Sequence, residues 1–446
     1  MTTAATTLPG KFHDAVIRWQ ETYLSDFDFL VDNWEKYFPN DQRFRLCAYR
    51  EQGICGEIEC GELEGQPKFT QACDMDPKRA HQLLGAIRAQ ASTEFGSIQQ
   101  HRLTLARAQH EQDQMWVLRM MAEELRHGYQ MLHLLLDDDW SHVSEISSAD
   151  MVEEILSMTT GSHVLGAFNI DFDSFVDNVV FCALIDRVGK FQLAMQQVSA
   201  YKPMAESMPP MLREEAFHLA TGVVPMRRWV TQAAQGEVYV TMEGLQRAWN
   251  KWLPRGLEMF GDERGGGTNV RLGLKPMKNK EAQEGYYKEC GKVLRDLNMR
   301  YLRARLPKLS RNEAIRALDR ILEGEVVQGV GREALLHLPD QRFYRRRGLP
   351  AFEMIGTQGE VFEDVAAYTQ HLSETLPESY RASADFRGYV DLLRQVNGGE
   401  VTAHEASSRA PALRRVGGSC PCSKSVRWVV DSPAESSSLE TPLATP

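Results

Sequence analysis

The sequence predicts a mainly α-helical protein built on a four-helix bundle, with additional helices and a small mixed region at its N-terminal end. Two observations support this prediction. Apolar residues recur at helical spacing over four long stretches, approximately 77–109, 113–137, 172–200 and 205–221. The same short motif of two glutamates and a histidine occurs on the second and on the fourth of these stretches.

The composition is that of an ordinary globular protein. The chain has 446 residues, of which 43% are hydrophobic and 25% charged, and this excludes a wholly disordered chain, a collagen or a small disulfide scaffold. A net charge of −10 argues against nucleic acid as a partner. No apolar run approaches the ~18–20 residues of a membrane-spanning helix, no secretory signal is visible, and eight cysteines are too few for a disulfide framework. We therefore expect a cytoplasmic protein without a membrane partner.

Four regions follow one another along the chain. Residues 1–76 combine a first helix with glycine-interrupted runs that are typical of short strands. Residues 77–323 form the helical bundle domain, and residues 324–405 mix loops with short helices. Residues 406–446 hold few large apolar side chains, so we expect a disordered tail. Further helices of the bundle domain are predicted over 227–235, 241–260, 278–305 and 310–323.

The first copy of the motif runs from Glu123 to His127. Three helical residues turn by about 300°, so Glu124 and His127 lie on one face, one turn apart. Apolar residues continue that face in both directions, which places the carboxylate and the imidazole in a core-facing row. A buried charge must be paired, hydrogen-bonded or bound to a metal ion, because an unpaired one costs several kcal/mol or more.

The second copy runs from Glu214 to His218, with Glu215 and His218 again one turn apart. Glu-x-x-His alone is expected about once by chance in such a chain, whereas Glu-Glu-x-x-His is expected roughly 0.08 times, so two copies are not accidental. Pro209 and Pro210 stand before this copy, where they either open its helix or kink a longer one.

An acidic residue stands one helix before each copy. Glu94 lies 30 residues before Glu124, and Asp186 lies 29 residues before Glu215, so antiparallel neighbours bring these groups to one level. Four carboxylates and two neutral imidazoles balance two divalent cations. This is the ligand arrangement of the ferritin-like di-iron or di-manganese carboxylate bundles, and the choice between iron and manganese stays open.

At these residues the chain resembles the di-iron epoxidases of aromatic acyl-CoA catabolism. The similarity is closer to the oxygenase component of benzoyl-CoA 2,3-epoxidase than to the catalytic subunit of phenylacetyl-CoA epoxidase. Its most specific part is Asp-Arg-Val-Gly-Lys-Phe-Gln-Leu at 186–193, and it extends over about 80–345. The resemblance implies six ligands, three for each of two irons: Glu94, Glu124 and His127 for one, and Asp186, Glu215 and His218 for the other.

Further roles follow from the same resemblance. Glu124 and Glu215 are the carboxylates expected to bridge the two irons. Gln90 lies one turn before Glu94 on the same face, and in the family a glutamine at this place approaches the metal. From spacing alone Gln90 is equally well explained as an ordinary amide on a helix face.

The resemblance implies an O2-dependent monooxygenase that epoxidises a benzoyl-CoA-like acyl-CoA thioester. Electrons would come from NAD(P)H through a partner flavin or iron–sulfur reductase, since this chain has neither a dinucleotide fingerprint nor the cysteine spacing of an iron–sulfur protein. Two alternatives stay open: the same type of oxygenase acting on an amine, an aromatic acid or a carrier-bound acyl group, and a non-catalytic metal-binding paralogue. A monomer and a homodimer are both compatible with the sequence.

An arginine cluster near the C-terminal end of the resemblance is a candidate docking site for the phosphates of a CoA ester. It contains Arg342, Arg345 and Arg346 beside Phe343 and Tyr344. A solvated basic loop explains the same residues, and from the sequence alone it is the more economical explanation.

Overall fold

The computed structural model describes residues 3–338 except 171, 238 and 262–266, together with 354–355, 361–362 and the single positions 367, 370 and 395. The predicted mainly α fold is confirmed in this part of the chain. Its helices are α1 (Gly10–Tyr23), α2 (Phe27–Asp32), α3 (Trp34–Tyr37), α4 (Pro77–His101), α5 (Glu111–Leu136), α6 (Ser148–Ser157), α7 (Phe175–Gln196), α8 (Lys202–Ala234), α9 (Met242–Met259), α10 (Thr268–Arg271), α11 (Asn279–Arg305) and α12 (Arg311–Leu322). Its strands are β1 (Thr3–Thr6), β2 (Ala48–Glu51), β3 (Met354–Ile355) and β4 (Val361–Phe362).

The four helices that carry the predicted ligands pack as two pairs, α4 with α5 and α7 with α8, and α5 also packs on α8. Helices α7 and α8 run antiparallel, because Gly189 faces Glu215 while Ala183 faces Gly222. Fully buried aromatic side chains such as Phe95 fill the space between the helices. Each side chain of this size contributes roughly 1.5–3 kcal/mol when it leaves water.

Local signals fix where the bundle helices begin. The side chain of Asp76 accepts a hydrogen bond from the backbone N–H of Arg79 at 3.0 Å, and Pro77 occupies the first turn of α4. Ser174 and Asp177 form a capping box at the start of α7. These caps satisfy N–H groups that have no partner within their own helix.

Helix α8 is longer than the sequence predicts. A helix over 205–221 and another over 227–235 were expected, but one helix of 33 residues contains both, together with Pro209, Pro210 and Pro225. A proline inside a helix costs about 3 kcal/mol locally. Contacts along α8 with α5, α7 and α11 outweigh this cost, because tertiary packing decides most helix stability.

The N-terminal region packs on the bundle. Strands β1 and β2 pair antiparallel, with Thr3 opposite Glu51. The backbone N–H of Leu8 donates to the Tyr129 hydroxyl of α5 at 2.7 Å, and His13 Nδ1 lies 2.9 Å from the same oxygen. Several short strands were predicted between residues 43 and 70. In this range the structure has one strand, β2, and an isolated antiparallel β-bridge between Glu57 and Pro67.

Beyond the bundle, α11 and α12 enclose a second, smaller apolar cluster that includes Leu302, Leu318 and Ile321. Strands β3 and β4 pair antiparallel. The predicted tail over 406–446 lies outside the described residues. Among the described helices, none combines the length and the apolar character that crossing a membrane requires.

Candidate metal centre

The two motifs meet in the core between α5 and α8. One ligand atom each from Glu124, His127, Glu215 and His218 can be chosen so that all four lie within 4.8 Å of one another, and all four residues are buried. His218 Nδ1 lies 3.2 Å from Glu124 Oε1 and 3.5 Å from Glu215 Oε2. His127 Nδ1 lies 3.8 Å from Glu124 Oε2. Glu124 thus stands between the two imidazoles.

The two acids predicted from α4 and α7 lie at the same cluster. Glu94 is fully buried and hydrogen-bonded to Glu124, and burial followed by the charge of Glu124 raises its pKa well above the usual value. Asp186 is fully buried beside Glu215, and burial followed by that charge raises its pKa to about 8. The structure therefore brings together all six residues that the sequence predicted as ligands.

Buried polar atoms of this cluster have no hydrogen-bond partner among the described residues. They include His127 Nδ1, Asp186 Oδ2 and Glu215 Oε2. Leaving one such atom unpaired costs about 1–3 kcal/mol. Carboxylate and imidazole atoms in this state are also the donors that divalent iron and manganese accept. The residues present therefore fit a pair of such ions.

The charge of the cluster supports the same fit. Burial raises the pKa of Glu124 as well as those of Glu94 and Asp186, which means that the metal-free site holds protons. Burial alone would lower the pKa of His218, but the neighbouring carboxylates of Glu123, Glu124 and Glu215 raise it well above the usual value. Divalent cations would take the place of these protons.

Each histidine is oriented by the first glutamate of the other motif. His218 Nε2 lies 3.1 Å from Glu123 Oε2, and His127 Nε2 lies 2.9 Å from Glu214 Oε2. Both bonds cross between α5 and α8, and they leave the two Nδ1 atoms toward the cluster. A metal-binding imidazole commonly donates its second N–H to a carboxylate in this way. The sequence shows the doubled glutamates but not the crossing, which depends on how the two helices pack.

Two arginines hold these orienting carboxylates. Arg119 Nε donates to Glu123 Oε1 at 3.0 Å. Arg126 Nε donates to Glu214 Oε2 at 3.4 Å, and its Nη2 donates to Oε1. Burial alone would raise the pKa of Glu214, but the hydrogen bond with His127 and the charge of Arg126 lower it. Glu214 therefore stays ionised and accepts a hydrogen bond from the imidazole N–H.

Gln90 lies beside the cluster, as its spacing predicts. Its Nε2 donates to Glu94 Oε1 at 3.3 Å, while its Oε1 is buried without a partner among the described residues. Three arginines were predicted to bind the phosphates of a CoA ester. These residues, Arg342, Arg345 and Arg346, lie outside the described residues.

A cavity of about 170 Å³ lies against α4 and α7. Along α4 its wall includes Ala86, one turn before Gln90, and along α7 it includes Gln192, one turn after Gly189. The cavity is therefore about two helical turns from Glu94 on α4 and from Asp186 on α7. Its lining combines apolar groups and amides, among them Leu83, Met195, Phe260, Gln82, Gln196 and Asn269.

Two comparisons with known proteins bear on this site. The phenylacetic acid catabolic protein family matches residues 147–313. A relative, benzoyl-CoA oxygenase component B of Aromatoleum evansii, is 30% identical over 200 residues, which is 44% of this chain and 40% of the relative. The resemblance to a di-iron oxygenase component that the motifs indicated is thereby confirmed. The chain aligns with less than half of the length of this relative.

The family match divides the site. Asp186, Glu215 and His218 lie within residues 147–313, whereas Glu94 and the first motif precede them. The family match therefore includes the three predicted ligands on α7 and α8. The predicted ligands on α4 and α5 are assigned to the same site because they lie close to these residues in the structure.

Proposed function

We propose that the chain is the oxygenase component of a di-iron, O2-dependent monooxygenase that epoxidises a benzoyl-CoA-like thioester. The observation that carries this proposal is the buried cluster of four carboxylates and two imidazoles, several of whose polar atoms have no hydrogen-bond partner among the described residues. The name of the relative, an oxygenase of benzoyl-CoA, supports the class of substrate.

The proposed ligands form two sets of three: Glu94, Glu124 and His127 in one, and Asp186, Glu215 and His218 in the other. Glu124 is proposed to be shared between the two sets because it lies between the two imidazoles. Glu215 is proposed to be shared because one of its oxygens lies within 4.8 Å of ligand atoms of both His218 and His127, which belong to different sets. Bound iron would supply the redox chemistry that activates dioxygen, using electrons that reach it from NAD(P)H through a separate flavin or iron–sulfur reductase.

The chain's own residues give this chemistry its geometry and its dry surroundings. Glu123 and Glu214 fix the two imidazoles, each through a hydrogen bond from Nε2. Met120 and Met211 are buried on the same helices and keep water from the cluster. The amide of Gln90, with its free carbonyl oxygen, is placed to orient a group that enters beside Glu94.

The cavity beside α4 and α7 is proposed to admit the aromatic acyl group. Its volume of about 170 Å³ is close to the ~150 Å³ of a protein cavity that holds benzene. Its apolar wall suits a ring, and the amides of Gln82, Gln192 and Gln196 can exchange hydrogen bonds with an amide-containing thioester arm. Arg342, Arg345 and Arg346 remain the candidates for contact with the phosphates of the CoA moiety.

A single-turnover experiment tests the proposal. The protein is loaded anaerobically with Fe(II), reduced and exposed to O2 with and without benzoyl-CoA, and iron content and products are measured. About two irons per chain and an oxygenated thioester are expected. Glu124→Ala and His218→Ala should lose iron, whereas Glu154→Ala, at a surface pair with Arg88, should retain it.

The outcomes separate the parts of the proposal. Two irons with O2 consumption but unchanged benzoyl-CoA would keep the oxygenase and reject this substrate, in favour of another small molecule. Two irons without O2 consumption would indicate a non-catalytic metal-binding protein. Absence of bound iron in the wild type, or full binding by both site variants, would overturn the metal centre itself.

A further inference from the structure

Gly189 lies in α7, one turn after Asp186, and faces the carboxylate of Glu215 in α8. A Cβ atom built at position 189 would lie 2.6 Å from Glu215 Oε1 and 3.5 Å from Glu215 Cδ. The first distance is below the 3.0 Å that real Cβ contacts respect. The end of the Glu215 side chain therefore occupies the space that any other residue at position 189 would fill.

The backbone of α7 does not require this glycine. Gly189 is in the interior of a helix of 22 residues, and its φ is not positive. Glycine at such a place is less stable than alanine by about 1 kcal/mol. A reason for glycine must therefore come from its surroundings, and Glu215 is the group that lies there.

A second glycine, Gly222 in α8, shows what a purely structural reason looks like. A Cβ atom there would meet the backbone of α7, at 2.7 Å from the Cα of Ala183. Two helix backbones cannot move apart without loss of packing. At Gly189 the neighbour is the end of a side chain instead, so the fold can accept a Cβ atom if the Glu215 carboxylate moves.

We propose that Gly189 is a positioning residue for the metal centre, because its missing side chain leaves the space in which the Glu215 carboxylate must lie to reach a metal ion. This inference rests on the proposed function, which makes Glu215 a ligand. Alanine would push Oε1 by about 0.8 Å, from 2.6 Å to the 3.4 Å at which ordinary contact begins. Metal sites need their ligands held within about 0.5 Å.

The test is a comparison of metal affinity with the stability of the metal-free protein. Gly189→Ala should weaken the binding of Fe(II) or Co(II) by about 10- to 100-fold, as is usual when a residue that orients a ligand is changed. The urea midpoint of the metal-free variant should be unchanged or higher, because alanine favours the helix. A role in packing alone would lower the midpoint.

Two glycines provide matched controls. Gly291 lies inside α11, and a Cβ atom there would be 3.6 Å from Leu338 Cδ2, which is ordinary contact. Gly291→Ala should raise the urea midpoint and leave metal affinity unchanged. Gly222→Ala should lower the midpoint, because its Cβ atom would meet the α7 backbone.

A double substitution distinguishes the cause. Glu215→Asp shortens the side chain and withdraws the carboxylate from position 189, so it should itself weaken metal binding, and its affinity is the reference for the double variant. In that background Gly189→Ala should weaken metal binding by less than threefold, because the obstruction is gone. An equal loss in both backgrounds would overturn the inference.

The remaining outcomes are distinguishable from failure of the proposed function. If the wild type binds two ions and Gly189→Ala binds both with the same affinity, the positioning role is wrong and the metal centre stands. If the wild type binds neither Fe(II) nor Co(II), the metal centre is wrong and the inference fails with it.

Discussion

The crossed hydrogen bond from His127 to Glu214 gives the sharpest quantitative prediction. In the wild type His127 Nε2 lies 2.9 Å from Glu214 Oε2. Glu214→Gln keeps an oxygen that can accept a hydrogen bond from Nε2 but removes the negative charge. A hydrogen bond to a charged acceptor contributes about 1.5–3 kcal/mol, and one to a neutral acceptor about 0.5–1.5 kcal/mol. The midpoints of these ranges differ by about 1.25 kcal/mol, which corresponds to about an eightfold loss of metal affinity.

Arg126 increases this loss. It donates to both carboxylate oxygens of Glu214, and a glutamine amide has one oxygen with which to accept from Arg126 and from His127. We therefore expect Glu214→Gln to weaken one Fe(II) site by between 10- and 100-fold, the range seen when such orienting carboxylates are changed.

The assay is an anaerobic Fe(II) titration of the full chain that resolves both ions, together with urea unfolding of the metal-free protein. Glu123→Gln should give a loss of the same size, because Glu123 holds His218 in the same way. Glu154→Gln, at the surface of α6, is the control and should bind both ions like the wild type. Wild-type affinity in Glu214→Gln, with an unchanged urea midpoint, would refute the reasoning.

Three further predictions concern stability. Loading with Fe(II) at a hundred times its Kd should raise the free energy of unfolding by about 2.7 kcal/mol for each ion bound, and a chelator should reverse this gain. Equal stability with and without iron would contradict a folded-state site. His163 is buried between Ser92 and Gln99, and burial lowers its pKa to about 4. The contribution of the neutral imidazole to the free energy of unfolding is therefore complete above pH 6.5 and is lost as the pH falls toward 4. Between pH 7.5 and 5.5 the wild type should lose about 1.4 kcal/mol more than His163→Gln in urea unfolding, and identical pH dependence would contradict this. The Nζ atom of buried Lys251 lies 3.0 Å from Asp173 Oδ2 and 3.2 Å from Asp177 Oδ1. Lys251→Met should therefore lower the free energy of unfolding by about 3–5 kcal/mol in urea unfolding. A loss below about 1 kcal/mol would show that these ion pairs contribute little to stability.

The helices of the bundle and the members of its cluster could be predicted because both are local patterns. A 3.6-residue period marks α4, α5 and α7, and their predicted positions agree with the observed ones within a few residues at most ends. The doubled Glu-Glu-x-x-His motif is specific enough to point to a shared site without a structure. The resemblance supplied the pairing of ligands with ions, which the structure leaves as a proposal.

Features that depend on contact between helices could not be predicted. The partner of each imidazole follows from how α5 meets α8, and the role inferred for Gly189 follows from how α7 meets α8. Helix α6 was not predicted, because ten residues give little periodic signal. The prolines of α8 led to the prediction of two helices instead of one. The sequence shows the local cost of a proline in a helix but not the packing contacts that outweigh it.

The crossing of the two motifs has a consequence for how such a site can be assembled. Each helix pair contributes one imidazole, but the carboxylate that orients it belongs to the other pair. A single helical hairpin with one Glu-Glu-x-x-His sequence would therefore hold its histidine without an orienting partner, and would gain one by associating with a second copy. The two halves of this bundle are thus not modules that work alone, and damage to one half reaches the histidine of the other.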